Sequence, residues 1–171
     1  MSGIAAARSP SQSAGNPWNE DAARGIVQEH RNLDGAMLPI LHALNDHFGY
    51  VDAGAVPIIA DELNLSRAEV HGVISFYHDF RKEPAGRHVV KVCRAEACQS
   101  MDGRKLEEHI RQRLKTEFGA TSPDHVYTLD AVYCLGLCAC SPAIMVDGEL
   151  HARVSPARFD QIMADVAGGK R

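Results

Sequence analysis

All five cysteines of this 171-residue chain fall in two short runs, CRAEAC at 93–98 and CLGLCACSP at 134–142. As spacing this is C-x4-C, an interval of 35 residues, then C-x3-C, with Cys140 left over. Two close pairs of thiols drawn from distant parts of a chain form the donor set of a tetrahedral metal site or an iron-sulfur cluster, and either would need the chain folded around it. Disulfide bonding is the other common use of paired cysteines. The N-terminus lacks an apolar h-region and a cleavage site and runs into Glu20 and Asp21, so a bacterial cytoplasmic location is expected, where disulfides are rare.

Structural zinc tolerates two to four residues between paired ligands, so spacing leaves it open. A [2Fe-2S] cluster on Cys93, Cys98, Cys134 and Cys138 is open equally. Wide loops let backbone N–H groups turn toward the sulfurs, and Gly136 is expected to let the chain approach closely. The pattern differs from the plant-type C-x4-C-x2-C run, and no Cys-x-His pair suggests Rieske-type ligation.

The rest of the composition narrows function by exclusion. A net charge of -4 and a pI near 6.1 give no basic footprint for nucleic acid or an anionic membrane. No apolar run approaches the roughly 18 residues that span a bilayer. None of the 14 glycines forms GxGxxG or a phosphate loop, so no nucleotide is expected on this chain. The nine histidines are scattered without an HExxH motif, and no nucleophile-base pair stands out, so no catalytic site is expected either.

Residues 1–16 are small, polar and turn-rich and are expected to form a flexible tail. Residues 17–80 read as a small helical bundle. A first helix is expected over 17–30, and a second begins on Asp34 as its cap, with Met37, Leu41, Leu44 and Phe48 on one stripe and Gly49 as the stop. A third helix is expected over 55–64 with Val56, Ile59, Ala60 and Leu63 inward. The fourth opens on Ser66-Arg67-Ala68-Glu69, a capping box, with Val70, Val73, Ile74 and Tyr77 as its stripe. The passage from Ile59 to Tyr77 has the outline of a helix-turn-helix, but residues 34–80 carry seven acidic residues against Arg67 alone, the wrong sign for phosphate. The outer face of the bundle is expected to meet a partner protein, with His42, His71 and His78 as candidate contacts.

Residues 81–87, RKEPAGR, are the expected linker. Beyond it the period changes. His88 to Cys93 reads as a buried strand, 103–118 as a helix with Leu106, Ile110, Leu114 and Phe118 inward, and 126–133 as a strand with Tyr127, Leu129, Ala131 and Tyr133 on one face. Asp147-Gly148 predicts a tight hairpin, and Ser155-Pro156 starts a last helix carrying Phe159, Ile162 and Val166. Both cysteine loops leave the C-terminal ends of strands and are expected to converge at one edge of the sheet. Between the ligands, Arg94 and Glu96 are candidates for tuning the site. Pro142 is expected to fix the exit of the second loop, and Cys140 to be a small buried hydrophobe beside it.

CRAEACQSM followed by YCLGLCACSPAIMV resembles the thioredoxin-like [2Fe-2S] subunit family of NAD-linked oxidoreductases, over residues 34–166. That family includes the 24 kDa-type subunit of respiratory complex I, its counterparts in NAD-linked hydrogenases and the gamma subunit of NAD-dependent formate dehydrogenase, and EACQSM at 96–101 is most similar to the last. The resemblance implies an α+β chain: the helical bundle, then a thioredoxin-like [2Fe-2S] ferredoxin domain over 88–171. It implies one [2Fe-2S] cluster on Cys93, Cys98, Cys134 and Cys138. It also implies an electron-transfer role beside a flavin/NAD-binding subunit and a molybdenum-containing catalytic subunit, with FMN, NAD and molybdenum cofactor held only by those partners. The alternatives are the equivalent subunit of complex I or of a hydrogenase, or a zinc-stabilised interaction module.

Overall fold

The structure is a computed structural model that describes residues 15–169. The expected tail, residues 1–16, lies almost wholly outside the described residues. The chain divides into two compact units between Ala85 and Gly86, inside the 81–87 segment.

The first unit is helical. Helix α1 spans Glu20–His30, starting later than the pattern suggests because the side chain of Asn19 accepts the Ala22 N–H and so caps it there. Helix α2, Met37–Phe48, begins three residues beyond Asp34 and has no side-chain cap, while Gly35 turns the chain at φ 66° just before it. It stops at Gly49, whose left-handed φ of 83° returns the N–H to the Asn45 carbonyl. Helix α3 is Ala55–Leu63 and α4 is Arg67–Phe76. The capping box on α4 forms as expected: Ser66 Oγ accepts from the Glu69 N–H, and the Glu69 carboxylate accepts from the Ser66 N–H at 2.8 Å. That N–H holds the Glu69 carboxyl below its ordinary pKa. Ile40, Leu41, Leu44 and Phe48 of α2 meet Ile59 of α3, Val70 of α4 and Ala23 and Val27 of α1 in one core. The buried stripe on α3 is Ala55, Ile58, Ile59 and Ala60, with Val56 and Leu63 only half-buried. On α4, Val70 and Ile74 are buried, whereas Tyr77 at the end of the expected stripe is exposed.

The second unit is a five-stranded mixed sheet with helices. Its strands are β1 (His88–Cys93), β2 (Ala120–Thr121), β3 (Tyr127–Val132), β4 (Ile144–Val146) and β5 (Glu149–His151), in the order β2-β3-β1-β4-β5. β1 runs parallel to β3, with Cys93 opposite Val132, and antiparallel to β4. A parallel pair needs a crossover; here it contains the short helix α5 (Glu96–Ser100) and α6 (Gly103–Leu114). After β5, α7 covers Pro156–Ala167 with Ser155 Oγ capping the Arg158 N–H. Val90, Val92, Leu129, Ile144 and Val146 of the sheet close on Leu106 and Ile110 of α6 and on Phe159 and Ile162 of α7. Each such side chain contributes about 1.5–3 kcal/mol of burial.

Three details depart from the sequence pattern. Helix α6 ends at Leu114 rather than Phe118 because Lys115 takes a left-handed φ of 53°. The two-residue β2 is too short to show a period. On β3 the buried neighbours are Thr128 and Leu129, and Tyr133 stands outside the strand, exposed. Thr128 is polar and buried because its Oγ1 accepts the Gly86 N–H at 2.7 Å and meets Thr121 Oγ1 at 2.7 Å. The hairpin turn forms as expected, with Asp147 at φ 50° and Gly148 at φ 88°.

Candidate metal centre

Cys93 is the last residue of β1, and the second cysteine run begins two residues after β3 ends. Because β1 and β3 are neighbours inside the sheet, the two loops meet at the C-terminal ends of interior strands, not at an edge strand. The join is tight. The Cys93 N–H donates to the Ala143 carbonyl at 3.1 Å and the Arg94 N–H to the Val132 carbonyl at 2.8 Å. Cys98 sits on α5, where its N–H returns to the Ala95 carbonyl at 3.0 Å. Cys93 and Cys98 are 4% and 2% exposed and pack with Ala143, Ala95, Val132, Leu135 and Leu137.

Cys134 and Cys138 are exposed, and their Sγ atoms lie 3.6 Å apart. Two sulfurs of one tetrahedral site with metal–sulfur bonds of about 2.3 Å are separated by about 3.8 Å, close to the spacing of this pair. Gly136, at φ 78°, donates its N–H to Cys134 Sγ at 3.3 Å. Close approach is not its role, since no atom lies within 4 Å of where a Cβ would sit; what the loop needs is the left-handed backbone that aims this N–H.

The thiols feel one another. The Gly136 N–H lowers the Cys134 thiol from its usual pKa, and Cys134 in turn pushes Cys138 up. Burial pushes Cys93 up, opposed by the N–H groups of Ala95 and Leu135. The Leu135 donor belongs to the second cysteine run, so one loop solvates a sulfur of the other. Cys138 also senses Cys98. Among the described residues no group of three or more His, Cys, Asp or Glu side chains is arranged to hold a single metal ion. The four thiols stand as two pairs, which is the donor set of a cluster with two metal atoms.

A scan against family profiles matches the thioredoxin-like [2Fe-2S] ferredoxin family over residues 23–167. The chain belongs to this family. Its cofactor is accordingly one [2Fe-2S] cluster. As a thioredoxin-like ferredoxin the chain is 30% identical over 145 residues to the HndA component of the NADP-reducing hydrogenase of Solidesulfovibrio fructosivorans, covering 83% of this chain and 85% of that one. It is 33% identical over 121 residues to one subunit of the NADH-quinone oxidoreductase of Pseudomonas aeruginosa, covering 71% and 73%. Among solved structures, the NAD+-reducing [NiFe]-hydrogenase in its air-oxidized state superimposes with a TM-score of 0.66 at 22% identity over 84% of this chain, a likeness of fold. This ferredoxin spans 24% of that hydrogenase chain.

The loop residues singled out from sequence are placed as follows. Arg94 is pinned, not free: its guanidinium donates to Glu107 at 3.1 Å and lies 4.9 Å over the Phe118 ring, while the Arg94 carbonyl accepts from Gln99 Nε2 at 2.7 Å. Glu96 is exposed in the first turn of α5. Cys140 is half-buried, where burial was expected, and lines an open recess of about 550 Å³ with Cys138, Met101 and Pro156. The Ser141–Pro142 peptide is cis, and the Pro142 carbonyl accepts the Val154 N–H at 3.0 Å. His42, His71 and His78 are exposed, His42 with its ring 5.1 Å from that of Phe80.

One residue that shapes the surroundings of Cys98 was not singled out from sequence. A Cβ at Gly103 would stand 2.4 Å from the Cys98 carbonyl oxygen, so only glycine lets α6 start directly against the backbone that presents Cys98. A glycine at the first position of a helix, five residues past Cys98, was the available signal.

Proposed function

We propose that the chain is a one-electron carrier subunit in which Cys93, Cys98, Cys134 and Cys138 hold the [2Fe-2S] cluster. The observation that carries the assignment is the meeting of two thiol pairs at the ends of β1 and β3, one pair 3.6 Å apart with a backbone N–H on its sulfur. When bound, the cluster supplies reversible storage of one electron. The chain's own part is to fix the ligands and set their electrostatics. Cys93 and Cys98 anchor the site in the core, and the N–H groups of Ala95, Leu135 and Gly136 offset negative charge on the sulfurs. Cys134 and Cys138 form the solvent-facing side, where a redox partner can come close. Residues 17–80 serve as a docking bundle joined through 81–87 to the cluster-bearing residues 88–171.

For the parent assembly we propose a NAD-dependent formate dehydrogenase, with formate oxidised in a molybdenum-containing subunit and NAD reduced in a flavin-bearing one. EACQSM at 96–101 supports this reading. The names of the relatives favour a second one, a hydrogenase or an NADH-quinone oxidoreductase. Purifying the assembly through a tag on this chain and supplying formate, hydrogen or quinone separates them. Formate-dependent NAD reduction is the expected result; hydrogen- or quinone-linked activity without formate turnover overturns the first reading and leaves the carrier role intact.

A further inference from the structure

The open recess of about 550 Å³ beside Cys138 and Cys140 is lined by three charged side chains, Asp102, Lys105 and Arg153. Lys105 Nζ lies 3.0 Å from the Asp102 carboxylate, so those two charges offset each other. Arg153 has no carboxylate partner among the described residues. Arg94, the cation within the first cysteine run, is held by Glu107 at 3.1 Å. The recess is therefore left with one uncompensated positive charge.

The backbone fixes where that charge stands. The Arg153 N–H donates to the Cys140 carbonyl at 2.8 Å and the Val154 N–H to the Pro142 carbonyl at 3.0 Å, so the segment after β5 is laced to the end of the second cysteine run. Arg153 holds its place at φ 51°, a left-handed backbone that glycine would adopt without strain. The turn itself does not call for arginine; what arginine adds is its side chain. Pro156, the first residue of α7, lines the same recess, so the positive end of that helix has the same sign.

A cluster that takes up one electron takes up one negative charge, and a fixed cation nearby favours the reduced form. We propose that Arg153 tunes the cluster: its guanidinium, held beside Cys138 and unpaired, raises the reduction potential. This rests on the reading of Cys138 as a cluster ligand. Arg153 is exposed, so water and salt weaken its effect without changing its sign.

The test is a redox titration of the anaerobically purified full chain, followed by electron paramagnetic resonance, in the unaltered protein and in Arg153→Gln and Arg153→Lys. At a given poise Arg153→Gln lowers the ratio of reduced to oxidised cluster about threefold, where tenfold corresponds to about 59 mV for one electron. Arg153→Lys keeps the charge and the unaltered ratio. The gap opened by Arg153→Gln narrows in about 1 M salt, where the screening length is about 3 Å. A merely structural role would shift both variants alike and ignore salt. Equal ratios in Arg153→Gln and the unaltered protein at low salt overturn the proposal, as does an equal shift, or equal iron loss, in both variants. The two readings fail separately: an unaltered protein without a cluster signal removes the carrier role, whereas a normal signal whose potential is indifferent to Arg153→Gln removes only the tuning.

Discussion

The two cysteine pairs of this ferredoxin are built in opposite ways. Cys93 ends a central strand and Cys98 rides on a helix, both inside a small apolar cluster. Cys134 stands on an exposed loop and Cys138 opens a short 3-10 turn after it, the pair held by one left-handed glycine, a backbone N–H and each other. The first pair belongs to the packed core of the fold. The second belongs to the surface and reaches metal-binding distance at the cost of exposure. On the proposed ligand assignment, such a site would hold its cofactor by the buried half and offer a redox partner the accessible half.

The largest expected effect comes from removing the proposed ligands. Cys93→Ser and Cys134→Ser should each abolish iron and labile sulfide, whereas Cys140→Ser should retain them; equal iron loss in Cys140→Ser and Cys134→Ser would break the assignment of the four ligands. The metal-free proteins should then divide. Cys93→Ser buries a hydroxyl in an apolar cluster and should lower stability by about 1–3 kcal/mol, while Cys134→Ser should change it by less than about 0.5 kcal/mol, both read from urea denaturation.

Gly103→Ala should act on the buried half without changing a cysteine. Its Cβ would press on the Cys98 carbonyl, so a loss of about 1–3 kcal/mol and lowered iron content are expected. Normal stability and full iron content would show that the buried half is softer than described. Alkylation of the metal-free chain then compares the halves directly. Cys134 and Cys138 should react with iodoacetamide roughly tenfold or more faster than Cys93 and Cys98, resolved by peptide mass spectrometry. Gly136→Ala should have the smallest global effect, because the strain of about 1–2 kcal/mol in a left-handed alanine falls on the exposed loop. Faster iron release to a chelator with little change in the urea midpoint is the expected pattern.

Much of this was legible in the chain. The cysteine spacing announced a metal site, Ser66 and Glu69 announced a helix start, and Asp147-Gly148 announced a hairpin, because each is a local pattern whose chemistry is complete within a few residues. The inequality of the two pairs was not legible. Both read as cysteines after a strand, and whether the next residues bury them depends on α5, Leu135 and Ala143 packing across the sheet. Gly103 was hidden for the same reason, since its neighbour is Cys98 backbone in space. Lys115 ended α6 against a continuing apolar period, because a lysine at left-handed φ carries no sequence signature. Gly136 was found for the wrong reason: its value lies in where its N–H points, which spacing does not encode.

The central claim, that these four thiols hold a [2Fe-2S] electron carrier, is tested most directly by electron paramagnetic resonance of the anaerobically purified chain after chemical reduction. The account predicts a half-spin signal integrating to about one per chain and lost in Cys134→Ser. Zinc-loaded protein, free of labile sulfide and silent after reduction, would contradict it.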